Sequence, residues 1–90
     1  MLTLTQRDKV RDALEKRASL VSKVNARKLR RVANESRVFD RFLDRKTKAI
    51  KREKPNASDG EILKILLDWI TNGGLDQILA FIKQILDLFV

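Results

Sequence analysis

From Thr5 to Lys54 the chain contains neither glycine nor proline. These two residues are the strongest local breakers of regular structure, so a stretch this long without them is limited to very few folds. Its apolar residues repeat with a helical period. At 100° per residue, Val10, Leu14, Val21, Leu29, Val32, Phe39, Leu43 and Ile50 stay within one sector. Arg27, Arg30, Arg31, Asn34, Arg37, Arg41, Arg45, Lys48 and Arg52 fall in the opposite sector. One face is thinly apolar and the other is a cationic ridge.

The phase does not slip, which fits one continuous helix. A helix of ~48 residues would be about 70 Å long at 1.5 Å per residue. A compact domain of 90 residues has a radius of gyration near ~12 Å. A monomer therefore needs a break, near Asn25 or at Asn34-Glu35-Ser36, where helix propensity is lowest. An oligomer could keep the helix whole. Thr5 with Asp8 is the expected N-terminal box. Lys54-Pro55-Asn56-Ala57 ends the segment, because the residue before proline avoids the α region.

The remainder, Ser58 to Val90, is of a different kind. It holds most of the large apolar residues, including the single tryptophan, Trp69. Ser58 and Glu61 have the spacing of a capping box, with the Glu61 carboxylate reaching back to the Ser58 N–H. Ile62, Leu63, Ile65, Leu66, Leu67, Trp69 and Ile70 fill most of the following helix. Asn72-Gly73-Gly74 is expected to stop it through a left-handed glycine. A second helix follows from about Leu75 to Phe89. Both apolar arcs cover about half the circumference, wider than the ~100° stripe of an ordinary surface helix.

Two such helices in a hairpin cannot fully cover one another. The basic segment, a second copy or a membrane surface must pack on them. Ile62, Leu66, Trp69, Ile70, Ile78, Phe81, Ile82, Ile85 and Phe89 are therefore the expected oligomer interface. The fold class expected is all-α: a basic helical arm over residues 1–57, continuous or broken near 25 or 34–36, and an apolar helical hairpin over 58–90, together one domain.

Charge follows the same division. Residues 1–57 carry 18 Lys and Arg against 7 Asp and Glu, a net +11; residues 58–90 carry 2 Lys against 5 acids, a net −3; the whole chain is +8. An excess of that size on one segment is more than solubility requires. It points to a polyanion partner, nucleic acid first, with Arg27, Arg30, Arg31, Arg37, Arg41, Arg45, Lys48 and Arg52 as the contacting residues. Phe39 and Phe42 lie nearer the apolar face, so base stacking is not expected from this segment. Asp40 and Asp44 are expected to pair with Arg37, Arg41 and Lys48 at helical spacing.

There is no histidine and no cysteine. No ordinary zinc site, thiol chemistry or disulfide is expected. No nucleophile–base pair and no phosphate loop stand out, so no catalytic, metal or cofactor residues are assigned and an enzyme is not expected. Lys83 interrupts the last apolar stretch at a cost of roughly 2.5–3.5 kcal/mol in a bilayer centre, which argues against a spanning helix. The first ten residues lack the apolar region of a secretory signal, so a cytoplasmic or virion-interior location is expected.

Taken together, these features predict a non-enzymatic assembly or structural protein, such as a phage or virion component. It would oligomerise or dock through its C-terminal helices and present a basic helix to nucleic acid or another polyanion. The alternatives are a small dimeric nucleic-acid-binding regulator and a basic protein acting at a membrane surface.

Overall fold

The computed structural model describes residues 2–89, and these form five α-helices with no strand. The helices are α1 (Leu4–Ala18), α2 (Lys23–Asn34), α3 (Ser36–Glu53), α4 (Asp59–Asn72) and α5 (Leu75–Asp87). The all-α expectation holds.

The arm is three helices and not one. A rod of about 70 Å would exceed the longest dimension of the molecule, 37 Å. The second break falls at Glu35, whose backbone is extended (φ −93°, ψ 111°), within the expected 34–36 window. The first break falls at Ser19–Ser22 and not at Asn25. Ser19 Oγ donates to the Lys16 carbonyl at 2.7 Å, and Ser22 Oγ accepts from the Asn25 N–H at 3.4 Å as the N-cap of α2. Serine competes for backbone hydrogen bonds inside helices and satisfies orphan N–H groups at their starts. Asn25 is thus the third residue of a new helix.

Start signals behave alike elsewhere. Thr3, not Thr5, caps α1: its hydroxyl accepts from the Gln6 N–H at 3.1 Å, and its own N–H donates to Gln6 Oε1 at 2.9 Å. Ser58 Oγ accepts from the Glu61 N–H at 3.2 Å. The Glu61 carboxylate returns to the Ser58 hydroxyl, at 3.3 Å, and not to its N–H as expected. Pro55 follows α3 closely, with Lys54 as C-cap.

No described glycine has positive φ. Gly73 is extended, at φ −68° and ψ 159°, so it does not end α4 by a left-handed turn. Its N–H donates to the Trp69 carbonyl at 2.8 Å, and a Cβ there would collide with that same oxygen. Glycine is required at this position for close approach.

α4 and α5 are joined by Gly73-Gly74, yet their backbones stay apart and they meet through the side chains of Trp69 and Phe81. α4 packs on α1 and α3, and α5 packs on α2 and α3. The basic segment is therefore the cover that the C-terminal apolar arcs need. One core results, with Leu14, Leu29, Phe39, Phe42, Leu66, Ile70, Ile78, Ile82 and Ile85 all fully buried. The radius of gyration, 12.3 Å, is that of a compact chain of this length. Among the described residues no polar or charged side chain is buried.

This packing corrects the expected oligomer interface. Ile62, Leu66, Ile70, Ile78, Ile82 and Ile85 lie in the chain's own core, each no more than 4% exposed. Only Trp69, Phe81 and Phe89 of that group are partly exposed.

Candidate functional site

α3 carries the longest cationic stripe. Arg37, Arg41, Arg45, Lys48 and Arg52 recur every three or four residues, so they share one side of the helix over about 22 Å. The opposite side buries Val38, Phe39, Phe42, Leu43 and Ile50. Burial of that apolar side fixes the rotation of the helix, and the cations are exposed as a consequence.

Four of these cations converge. Arg41, Arg45, Lys48 and Arg52 line a groove of about 490 Å³ together with Asp44, Ala49, Phe81 and Gln84. Ala49 is small and lets α5 come close, and α5 contributes Phe81 and Gln84. One carboxylate against four cations leaves the groove with a net charge of +3. Arg37 is exposed on the first turn of α3 and lies outside the groove.

The other predicted cations sit on α2. Arg27, Arg30 and Arg31 are exposed there with Lys23 and Lys28, and α2 contains no acidic residue. Two are tied to the chain's own carboxylates: Arg30 to Glu15 of α1 at 3.4 Å, and Arg31 to Glu35 at 3.0 Å. Asn34 Nδ2 also donates to Glu15, at 3.0 Å. The single ridge read from the helical wheel is therefore carried by two helices, with the break at Glu35 between them.

The carboxylates of α3 behave differently from expectation. Asp44 pairs with Lys48 at 3.2 Å, as the spacing suggests. Asp40 pairs with Arg7 of α1 instead of an arginine on its own helix. Arg27, Arg37, Arg41, Arg45 and Arg52 have no carboxylate within ion-pair distance among the described residues. All five of these arginines are exposed.

An aromatic cluster supports the groove from below. Phe42, Trp69 and Phe81 come from α3, α4 and α5. The Phe81 ring stands edge-on to both others, with centroids 5.6 Å apart in each case. Lys46 Nζ lies 3.8 Å from the Trp69 centroid. Burial lowers the Lys46 pKa from its ordinary 10.5, opposed by the Glu53 carboxylate. Between α1 and α3, Arg11 stacks over Phe39 at 4.1 Å. Partly desolvated contacts of this type hold cations against rings.

A larger groove of about 700 Å³ lies on the other flank of α3, between Arg7, Leu43, Thr47, Lys51, Asp59 and Ile62. It mixes three aspartates with four cations, so it has little net attraction for an anion.

Sequence reasoning missed Phe81 and Gln84 as members of the cationic groove. Nothing along the chain links them to α3, which lies upstream of the whole of α4. Comparison with protein-family models, with curated proteins and with solved structures finds no match. Among the described residues no helix is long and apolar enough to cross a membrane.

Proposed function

We propose that this chain is a non-enzymatic polyanion-binding module whose α2–α3 surface engages nucleic acid chiefly through phosphate charge. The observation that carries this reading is the groove itself: Arg41, Arg45, Lys48 and Arg52 project together, and among the described residues the three arginines have no carboxylate within ion-pair distance. Cations held in this way release counterions when they meet phosphates, which drives association in dilute salt. α2 adds five more cations without an acid of its own.

The assembly reading relied on nine C-terminal side chains, and six of them are enclosed within the chain. The polyanion half of that reading keeps its surface; the oligomer half keeps only Trp69, Phe81 and Phe89. A second reading, contact with an anionic bilayer surface, draws support from Leu20 and Val24. They are 80% and 63% exposed, Leu20 in the turn before α2 and Val24 in its first turn next to Lys23. Exposed apolar side chains next to a lysine suit such a surface.

Fluorescence anisotropy with labelled DNA and RNA across a salt series tests the first reading. Four phosphate contacts give a slope of log K against log salt near about −3 on a single strand. Neutralising Arg41, Arg45 and Arg52 together to Gln should flatten that slope by about two units, with no change in fold, since all three are exposed. Absence of binding at low salt overturns the reading. Co-sedimentation with anionic vesicles but not with nucleic acid favours the second.

A further inference from the structure

We infer that the groove between α3 and α5 is a subsite for single-stranded nucleic acid, with a base resting on Phe81 and the flanking phosphates on Arg41, Arg45, Lys48 and Arg52. This inference rests on the polyanion reading above and narrows it to one class of strand.

The groove joins two chemistries that are separate along the chain. α3 supplies one cation per turn, at a rise of about 5.4 Å per turn. α5 supplies a partly buried phenylalanine ring in the same groove, and Gln84 beside it. A backbone-tracking cationic wall next to an aromatic ring is the arrangement by which proteins hold single strands without reading their sequence. The Gln84 amide, one turn after Phe81, offers both a donor and an acceptor to a base edge.

Phe81 is already positioned. Phe42 and Trp69 brace it at 78° and 84° to their own planes, respectively, so little side-chain freedom is lost when a base arrives. A duplex gains nothing from this ring, because its base faces are stacked inside. Nor does α3 suit a major groove about 12 Å wide, which one helix of roughly 10–12 Å diameter fills. α5 lies against α3, with Phe81 and Gln84 bordering the very stripe that would have to enter.

The test uses the intact chain and three ligands of equal length, about twelve nucleotides, within the usual site sizes. They are oligothymidylate, an abasic deoxyribose-phosphate oligomer and a duplex. At matched salt, oligothymidylate should bind roughly 5- to 150-fold tighter than the abasic strand, the fold-change that one stacked base confers. It should also outcompete the duplex. Phe81→Leu should abolish the gap between oligothymidylate and abasic strand while leaving the salt slope of both unchanged. Equal affinity of the wild-type chain for the two single strands overturns the inference and leaves the polyanion reading standing. Preference for the duplex overturns it likewise. No binding to any of the three removes the polyanion reading as well.

Discussion

Lys46 Nζ stands 3.8 Å from the centre of the Trp69 ring and 5.4 Å from that of Phe81. Burial makes this ammonium easier to deprotonate than an ordinary lysine at 10.5, and Glu53 pulls the other way. Because the folded-state pKa is depressed, the unfolded chain binds more protons in the interval below 10.5. Stability therefore rises with pH across that interval. Lys46→Met keeps the stem and removes the charge. Urea melts at a series of pH values should show wild type gaining on K46M as pH climbs towards 10.5, the difference cancelling the other lysines. A difference that stays flat with pH contradicts the depressed pKa.

The two adjacent glycines should respond oppositely to alanine. At Gly73 a Cβ meets the Trp69 carbonyl and lies 3.2 Å from Trp69 Cδ1. Overpacking of this kind costs about 1–3 kcal/mol, so Gly73→Ala should lower the melting temperature and shift the emission of Trp69. At Gly74 the nearest atoms belong to the flexible Gln77 side chain at 3.9 Å, and φ is −59°. Alanine fits there and restricts the unfolded chain, so Gly74→Ala should leave stability unchanged or raise it by ~0.4–1 kcal/mol. Equal losses at both positions would show that the loop simply needs glycine.

Helical phase was legible along the whole chain. Of the eight residues assigned to the apolar sector of the arm, all but Val21 are buried. Phase also survives a short break, which is why it could not show that the arm bends twice. The Ser22–Asn25 spacing is the readable sign of the first bend, whereas the low helix propensity of Asn25 marks only its neighbourhood. A wheel shows which residues share a face of one helix; it does not show which helix covers that face. The C-terminal arcs therefore looked unpartnered, although Leu14, Leu29 and Phe42 close over them. The same gap hid the groove: its arginines were visible as a stripe, and Phe81 joins them only through tertiary packing.

Arg17 links the first and second halves of the chain. Its Nη1 donates to the carbonyls of Ile70 and Thr71, at 3.2 and 2.9 Å. These carbonyls end α4 without intrahelical partners, at the negative end of its dipole. Hydrogen bonds to a charged donor contribute about 1.5–3 kcal/mol when partly buried. Arg17→Met should therefore lower stability by roughly 1–2 kcal/mol, a melting shift of about 4–15 °C for a domain this size. Arg30→Met, which breaks only the exposed pair with Glu15, should cost less than ~1 kcal/mol. Thermal melts of the two variants side by side decide it, and a larger loss for Arg30→Met would contradict the capping role of Arg17.

Asp44 is the one acid in the cationic groove, and Lys48 holds it at 3.2 Å. It opposes an arriving phosphate by its own charge, and it occupies a lysine that would otherwise be open. Both effects act at an exposed site, where such a pair contributes little to folding. Asp44→Asn should therefore leave the melting temperature within a few degrees of wild type. Affinity for oligonucleotides at low salt should increase by about 2- to 5-fold, the value of one exposed ion pair expressed as binding. The gain should shrink as salt is added, because screening reduces the repulsion it relieves. Asp40→Asn is the control: Asp40 lies outside that groove and pairs with Arg7. If the two variants raise affinity equally, only net charge matters and the groove has no special standing.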